Sequence, residues 1–286
     1  MSVEILGKTY IIEETFELNL SKKNLTSFPN EIINLIHLEK LYLNLNNLTN
    51  LQESIGRLSK LESLHLDNNK LTILPESIGK LTQLKCLGLD NNKLISLPDS
   101  IGQLVNLKRL HLSSNKLTYL PDSIGKLEKL KYLYLANNFL TVLPESIGEL
   151  SQLKEFSPSL NKLTSLPDSI GKLERLKELY LNNNNLTSLP ESIGRLTQLK
   201  ELYLRENKLK RLPESIKKLN IECLRISIYS YEINNLDPDC EFLIITYLDQ
   251  PLTNLPINLK ELWLIKSQNN LENIKVPFGC EIIIKN

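Results

Sequence analysis

Tyr42, His65, His111, Tyr134, Tyr180 and Tyr203 are separated by multiples of 23 residues. Tyrosine and imidazole rings at such a spacing can stack, exchange hydrogen bonds and, for His, change charge near neutral pH. Tyr132, Arg225 and Trp263 stand close to the same rhythm. The four cysteines, Cys86, Cys223, Cys240 and Cys280, include no CxxC pair. With only His37, His65 and His111 beside them, they complete no zinc pattern. They are read as reduced thiols, with no metal site and no cofactor expected. No GxSxG, P-loop, HExxH or DxDxDG motif occurs. The spaced aromatic residues therefore point to binding rather than catalysis.

Something periodic must position them. The chain of 286 residues contains 63 Leu and 31 Asn, but one Ala, one Met, one Trp and four Val. Ala is the best helix former, so its near absence argues against a large helical bundle. A 41% hydrophobic content with almost cancelling charges (34 Lys+Arg, 33 Asp+Glu) excludes disorder. The same balance argues against a protein built to neutralise phosphates, so no nucleic acid is expected. No run of 18 apolar residues occurs, so no membrane span is expected. The opening Met-Ser-Val-Glu-Ile-Leu-Gly-Lys-Thr-Tyr lacks a basic and then apolar signal pattern. Cytoplasmic residence is the expectation, with export lacking a cleaved signal left open.

The period is explicit from Leu61, which opens Leu-Glu-Ser-Leu-His-Leu-Asp-Asn-Asn-Lys-Leu. Leu84, Leu107, Leu130, Leu153, Leu176 and Leu199 open segments of the same form at 23-residue steps. Leu38 and Thr15 extend the register backwards, giving nine units over residues 15–221. Each unit continues as TxLPxSIGxLxx, as in 72–83. The pattern LxxLxLxxNxL is similar to the leucine-rich repeat. The 23-residue form resembles the Ras-suppressor and Scribble group, the plant intracellular Ras-group repeats and bacterial repeat proteins. That resemblance implies an α/β leucine-rich repeat solenoid, a curved horseshoe. A parallel sheet would line its concave face and short 3-10 or helical turns its convex face. It also implies scaffold or adaptor roles, with a small GTPase or signalling protein as partner.

The residues give a physical reading of their own. Leu64 and Leu66 face inward from a short strand, and Leu71, Leu74, Ile78 and Leu81 continue the inward set. One unit cannot cover them, so neighbours must stack. Asn69, Asn92, Asn115, Asn138, Asn161, Asn184 and Asn207 form one column, and their amides can satisfy backbone groups where the strand turns away. Pro75 can open a helical turn, Glu76 favours its positive end, and Gly79 is expected to end it with φ > 0. Ile33 and Lys217 replace that Gly in the end units, where a less regular turn is expected.

Residues 1–14 are expected to form an N-terminal cap, a hairpin around Gly7-Lys8. Beyond 221 the register shifts, and 222–286 is read as degenerate repeats with a C-terminal cap. Strand starts fall near Ile221, Phe242, Leu259 and Gly279, with 281–284 as the last strand. That strand would invite self-association if it were an uncovered edge; a monomer is the expectation. Unit seven carries Pro158 where an inward Leu belongs, which weakens its strand. Tolerated drift and a functional notch both remain open there.

The candidate site is the outward-facing set of the strands. The residue between the last two apolar positions gives Tyr42, His65, Gly88, His111, Tyr134, Ser157, Tyr180, Tyr203, Arg225 and Trp263, with Tyr132 beside them. Neighbouring parallel strands lie about 4.8 Å apart, so adjacent rings touch, while His65 and His111 stand about 10 Å apart. The lysine column (Lys85 to Lys200) and Glu155, Glu178 and Glu201 are expected to pair across strands. The function expected is a non-catalytic protein-interaction scaffold. A glycan-binding protein, with Asn68, Asn91, Asn137 and Asn183 as hydrogen-bonding groups, and an effector acting on a host partner are the alternatives.

Overall fold

The structure is a computed structural model that describes residues 1–209, 212–219, 223–225, 242–245, 255, 258–265 and 276–285. Each 23-residue unit begins with a three-residue strand. These are β3 (Glu17–Asn19), β4 (Lys40–Tyr42), β5 (Ser63–His65), β6 (Cys86–Gly88), β7 (Arg109–His111), β8 (Tyr132–Tyr134), β9 (Glu155–Ser157), β10 (Glu178–Tyr180), β11 (Glu201–Tyr203) and β12 (Cys223–Arg225). They form one parallel ten-stranded sheet in strict sequence order. The register steps by one unit, so His65 faces Gly88 and His111 faces Tyr134. This is the α/β leucine-rich repeat solenoid that the repeat pattern implies.

The middle residue of each of these strands through β11 is buried and its two neighbours face out. Leu64, Leu66, Leu71, Ile78 and Leu81 are fully buried, as are their equivalents in the units on either side. They merge into one continuous core that runs from Ile5 to Leu219. Parallel strands joined by long connections stack their apolar sets instead of closing a single compact core.

The Asn column joins the units. Asn115 Nδ2 donates to the carbonyls of Leu89 and Leu112 at 2.9 and 3.1 Å, while its Oδ1 accepts the Leu94 N–H at 3.0 Å. One side chain thus ties its own strand end to two points of the preceding unit. Asn69, Asn92, Asn138, Asn161 and Asn184 repeat the pattern, all buried. An amide is the group that can give and take at once in a space with no water. The residue just before each of these Asn is left-handed, from Asn68 (φ 57) to Asn183 (φ 56), and Glu206 (φ 55) before Asn207 and Lys22 (φ 59) before Lys23 hold the same place in their units. Asn tolerates that conformation better than most side chains. Leu45 and Leu160 adopt it too, at φ 58 and 54.

The convex side is made of five-residue 3-10 turns, such as Glu76–Lys80 and Asp99–Gln103, entered from a Pro in extended conformation except at Glu53–Arg57, where Gln52 takes its place. Glutamates at the first position reach the following unit. The Ser77, Ser169 and Ser215 N–H groups donate to Glu53, Glu145 and Glu191 at 3.0, 3.3 and 3.2 Å. The bonds from Ser77 hold the Glu53 carboxyl below its usual range.

The turn glycines correct one expectation. Among the described glycines only Gly7 and Gly279 have positive φ, so Gly79 and its equivalents do not end their turns by a left-handed step. Their role is close approach. A Cβ on Gly102 would stand 2.5 Å from the Ser123 carbonyl oxygen and 2.9 Å from its Cβ, and one on Gly125 would stand 2.6 Å from the Ser146 oxygen. The turns must nest this closely to bring the core residues of adjacent units together. The end turns form nonetheless, Asn30–Asn34 leaving like the regular ones (Leu35 ψ 65) and Glu214–Lys218 leaving extended (Leu219 ψ 139).

At the N-terminal end, β1 (Ser2–Ile5) and β2 (Lys8–Ile11) pair antiparallel through a turn in which Leu6 and Gly7 are both left-handed. Ile5 is buried in the common core, with Val3, Tyr10 and Ile12 packed against it. At the other end β13 (Phe242–Ile245), β14 (Glu261–Ile265) and β15 (Glu281–Lys285) form a parallel three-stranded sheet with β14 in the middle.

Pro158 is buried immediately after β9, and its effect is local. Elsewhere the residue at this position donates its N–H to the next strand, as Leu135 does to Ser157 (2.9 Å) and Leu181 to Tyr203 (2.8 Å). Proline has no N–H to give to the Tyr180 carbonyl. Accordingly β9 and β10 share two paired residues where most neighbours share three. Phe156 stands two residues earlier, at a position that is Leu in the other regular units, and is fully buried. A larger ring and a smaller one on the same inward face keep the core volume roughly constant, the change that cores tolerate best.

Two outcomes follow. Gly102→Ala is expected to destabilise the chain by about 2 kcal/mol through overpacking against Ser123. Leu160→Asn is expected to stabilise it by about 1 kcal/mol by relieving a left-handed Leu. Urea unfolding followed by circular dichroism measures both; a neutral Gly102→Ala would refute the close-approach role.

Candidate functional site

The concave sheet turns the first and third residues of β3 to β11 outward, all at least partly exposed except the buried Gly88, and there the ladder places the sequence candidates. Tyr42, His65, His111, Tyr134, Tyr180 and Tyr203 occupy the third position of their strands, half-buried, in a single row. They come together in pairs. Tyr42 stacks on His65 with centroids 5.0 Å apart, His111 meets Tyr134 at 4.8 Å, and Tyr180 stacks on Tyr203 at 4.7 Å. These separations match the spacing of parallel strands, so the sheet itself sets the stacking distance. The row is interrupted at Gly88 and at Ser157, which carry no ring. Tyr132 lies on the neighbouring row, with the Arg109 guanidinium 5.1 Å above its ring. Arg225 pairs with Tyr203 in the ladder, and Trp263 lies in the separate three-stranded sheet between Ile244 and Ile283; the side chains of both fall outside the described residues.

The groups that orient the rings were not singled out from sequence. His65 Nδ1 lies 3.7 Å from Asp67 Oδ2, and His111 Nδ1 lies 3.6 Å from Asp90 Oδ2. Both aspartates also accept backbone N–H groups of the next unit, from Asp90 at 3.0 Å and from Ser113 at 2.6 Å. Burial pushes the Asp67 carboxyl up, but the hydrogen bonds from His65 and the Asp90 N–H outweigh it and leave it below its usual range. The signal available in sequence was an Asp two residues after His65, on the same strand face.

The tyrosines are held by glutamates. Tyr134 donates its hydroxyl to Glu155 at 2.9 Å, Tyr180 to Glu178 at 2.7 Å and Tyr203 to Glu201 at 2.7 Å. This corrects the expected cross-strand Lys–Glu pairing. Lys40–Glu17 and Lys85–Glu62 do pair, at 3.3 and 2.6 Å. Glu155, Glu178 and Glu201 instead turn to the phenols, because a hydroxyl carried on a rigid ring with few rotatable bonds costs less side-chain entropy to hold than a long, hydrated Lys stem. Burial, then the Glu carboxylate, pushes the Tyr134 and Tyr180 hydroxyls up. Burial also raises the Glu155 carboxyl; the Tyr134 bond opposes it and the Glu178 and Glu201 charges add to it. Three like charges in ladder register oppose folding.

Ser63 Oγ lies 3.0 Å from His65 Nε2, so Ser63, His65 and Asp67 form a chain along β5. A serine nucleophile needs backbone donors aimed at the developing oxyanion. Here the N–H groups of Ser63, Cys86 and Leu66 are committed to Glu39, Glu62 and Gly88. The chain therefore orients the imidazole. Burial pushes the neighbouring Cys86 thiol up and keeps it protonated, which weakens it as a nucleophile. Asn68, Asn91, Asn137 and Asn183, the candidate glycan contacts, all lie in the left-handed column, so their residue type has a backbone reason.

A ladder of short parallel strands, an Asn at every turn and an aromatic row on the inner face define a repeat protein built to present a surface. Family models described as leucine-rich repeat region and leucine rich repeat match residues 72–162 and residues 36–94, 151–209 and 174–227. The solved structure of a leucine-rich repeat protein of Leptospira interrogans is 34% identical, with a TM-score of 0.72 over 95% of this chain and 74% of that one. The chain belongs to the leucine-rich repeat family. The leucine-rich repeat domain of the type III effector XopL is also similar, 32% identical with a TM-score of 0.67 over 76% of this chain and 77% of that one. A plant peptide hormone receptor, solved in complex with RGF2, is 27% identical with a TM-score of 0.66; the match covers 84% of this chain but only 42% of the receptor. No curated protein sequence matches. Among the described residues no helix is long and apolar enough to cross a membrane.

The raised Glu155 carboxyl sets a pH dependence. A carboxyl whose folded value lies above its unfolded value binds extra protons when folded, so its contribution to stability falls as pH rises through that window. Glu155→Gln, which has no charge to lose, is expected to be more stable than the unmodified chain at pH 7 and no more stable at pH 3. Paired urea titrations at the two pH values measure the difference, and a constant difference would remove the electrostatic account.

Proposed function

We propose that this chain is a non-catalytic interaction module that presents its concave sheet to a protein partner. The observation that carries the reading is the row of stacked rings, held in place by carboxylates yet open to solvent on one side. Rigid aromatic rings offer contact area at little entropy cost and are enriched at binding hot spots. The family supports a protein-interaction role, and the two similar structures named as an effector domain and as a receptor with RGF2 support it further. A scaffold in the cytoplasm is the form of this role that we favour. A small GTPase, which the resemblance to Ras-suppressor repeats implies, is one candidate partner. We also propose that 1–14 acts as the cap, 15–221 as nine regular repeats and 222–286 as degenerate repeats with a second cap.

Changing Tyr134, Tyr180 and Tyr203 together to Ala tests the face. Crosslinking and mass spectrometry on the full chain is expected to identify partners that the triple variant loses by tenfold or more, with its circular dichroism unchanged. Retention of every partner by the folded variant would place the interface elsewhere. A GTP turnover assay with and without the chain separates a GTPase regulator from a passive scaffold.

A further inference from the structure

The ring row is built as three stacked pairs with two one-strand gaps, the first floored by the Asp67 carboxylate over a buried Gly88 and the second by a partly exposed Ser157. At Gly88 the faces of His65 and His111 look at each other across two strand spacings, about 10 Å. Asp67 and Asp90 bring carboxylates to this gap, and Asp67 leans far enough across it that a Cβ on Gly88 would lie 2.5 Å from Oδ2. At Ser157 the rings of Tyr134 and Tyr180 are separated in the same way. Glu155 and Glu178 bring the carboxylates there, each holding a phenol.

None of these four carboxylates has a lysine or arginine within ion-pair distance among the described residues. They are nevertheless fixed, two by backbone N–H groups and two by tyrosine hydroxyls. Each gap therefore combines negative charge with aromatic walls about 10 Å apart. A guanidinium or ammonium group on an apolar stem satisfies both features, because the face of an aromatic ring attracts a cation. The same face already shows such a contact, with the Arg109 guanidinium resting over Tyr132.

The spacing of the gaps adds a second constraint. Gly88 and Ser157 lie three strands apart, about 14 Å. Ring separations of 4.7 to 5.0 Å along the row show that the curvature barely compresses this distance at side-chain height. An extended chain rises about 3.4 Å per residue and returns to the same face every second residue. Residues i and i+4 of an extended segment therefore lie about 14 Å apart on one side. Residues i and i+2 fall short and i and i+6 overshoot.

We infer that the concave face takes an extended segment of a protein partner, laid along the row of rings, with basic side chains at positions i and i+4 seated in the Gly88 and Ser157 gaps. The inference rests on the concave face being the binding surface and specifies the chemistry of what binds there. The lysine row Lys108, Lys131, Lys154 and Lys177 borders the strand starts outside the ring row, which makes acidic segments the opposing arm of a test.

Fluorescence anisotropy of the full chain with labelled 12-residue Ser/Thr peptides supplies it. One peptide carries Arg at i and i+4; others carry Arg at i and i+2, Arg at i and i+6, a single Arg, or Glu at i and i+4. The i, i+4 Arg peptide is expected to bind about tenfold more tightly than the single-Arg peptide and than either misspaced one. Ser157→Tyr, which fills one gap with the ring that neighbouring units carry, is expected to reduce it to the single-Arg level. Equal affinity for all Arg spacings, or no effect of Ser157→Tyr, would overturn the two-gap inference. Preference for the Glu peptide, lost on changing Tyr134, Tyr180 and Tyr203 to Ala, would overturn the inference while leaving the concave face as the binding surface. Binding by no peptide overturns the inference, and the fate of the face is then decided by the crosslinking comparison of the triple tyrosine variant.

Discussion

Each unit of this chain covers the core of the next, and no unit covers its own. The leucines of the unit opening at Leu107 are sealed by the units opening at Leu84 and Leu130. The rest of the structure depends on keeping those neighbours at one fixed distance. Two devices do so on opposite sides of the core. On the concave side the Asn amide ties three backbone points across the joint. On the convex side the missing Cβ of Gly lets one turn rest on the next serine. An Asn without its partners would leave buried polar groups unpaired, and a Gly with a side chain would wedge the turns apart.

The fixed joint explains why the inner face can carry function. The strand residues that point inward are committed to the core and the turn residues to the joint. The two outward residues of each strand are constrained by each other and by their neighbours at one strand spacing. Rings placed there stack without further design, and gaps arise wherever a small residue takes the place of a ring. The charged groups follow the same logic. Aspartates after β5 and β6 serve the backbone of the next unit and the imidazoles at once, and glutamates on β9 to β11 serve the phenols. The accumulated like charge on those three strands opposes folding, a cost that a binding surface can carry because the core is so extensive.

The seventh unit shows how far the repeat bends without failing. Pro158 removes one ladder bond, yet the carbonyl of Pro158 still accepts the amides of Asn161 and Asn184 at 3.1 and 3.0 Å. The joint survives because it uses the proline's acceptor and not its missing donor. Phe156 supplies the volume that the ring of Pro158 does not. The same unit carries Ser157 on the outer face, so the second gap in the ring row coincides with the weakest rung of the sheet.

The sequence by itself determined the repeat length, the parallel stacking, the inward leucines, the Asn joint and the column on which Tyr42, His65, His111, Tyr134, Tyr180 and Tyr203 fall. These are consequences of a single period repeated in register, and periodicity is visible in a string of letters. The role of the turn glycines was not, because a Gly needed for positive φ and a Gly needed for close approach look the same until the facing Ser is in place. Nor was the choice of partner for each charge. Lys131 and Tyr134 on the preceding unit are both candidates for Glu155 by column arithmetic, and only side-chain geometry decides for the phenol. The tertiary structure also decided which carboxylates line the two gaps of the aromatic column, since that depends on how Asp67, Asp90, Glu155 and Glu178 turn relative to the rings.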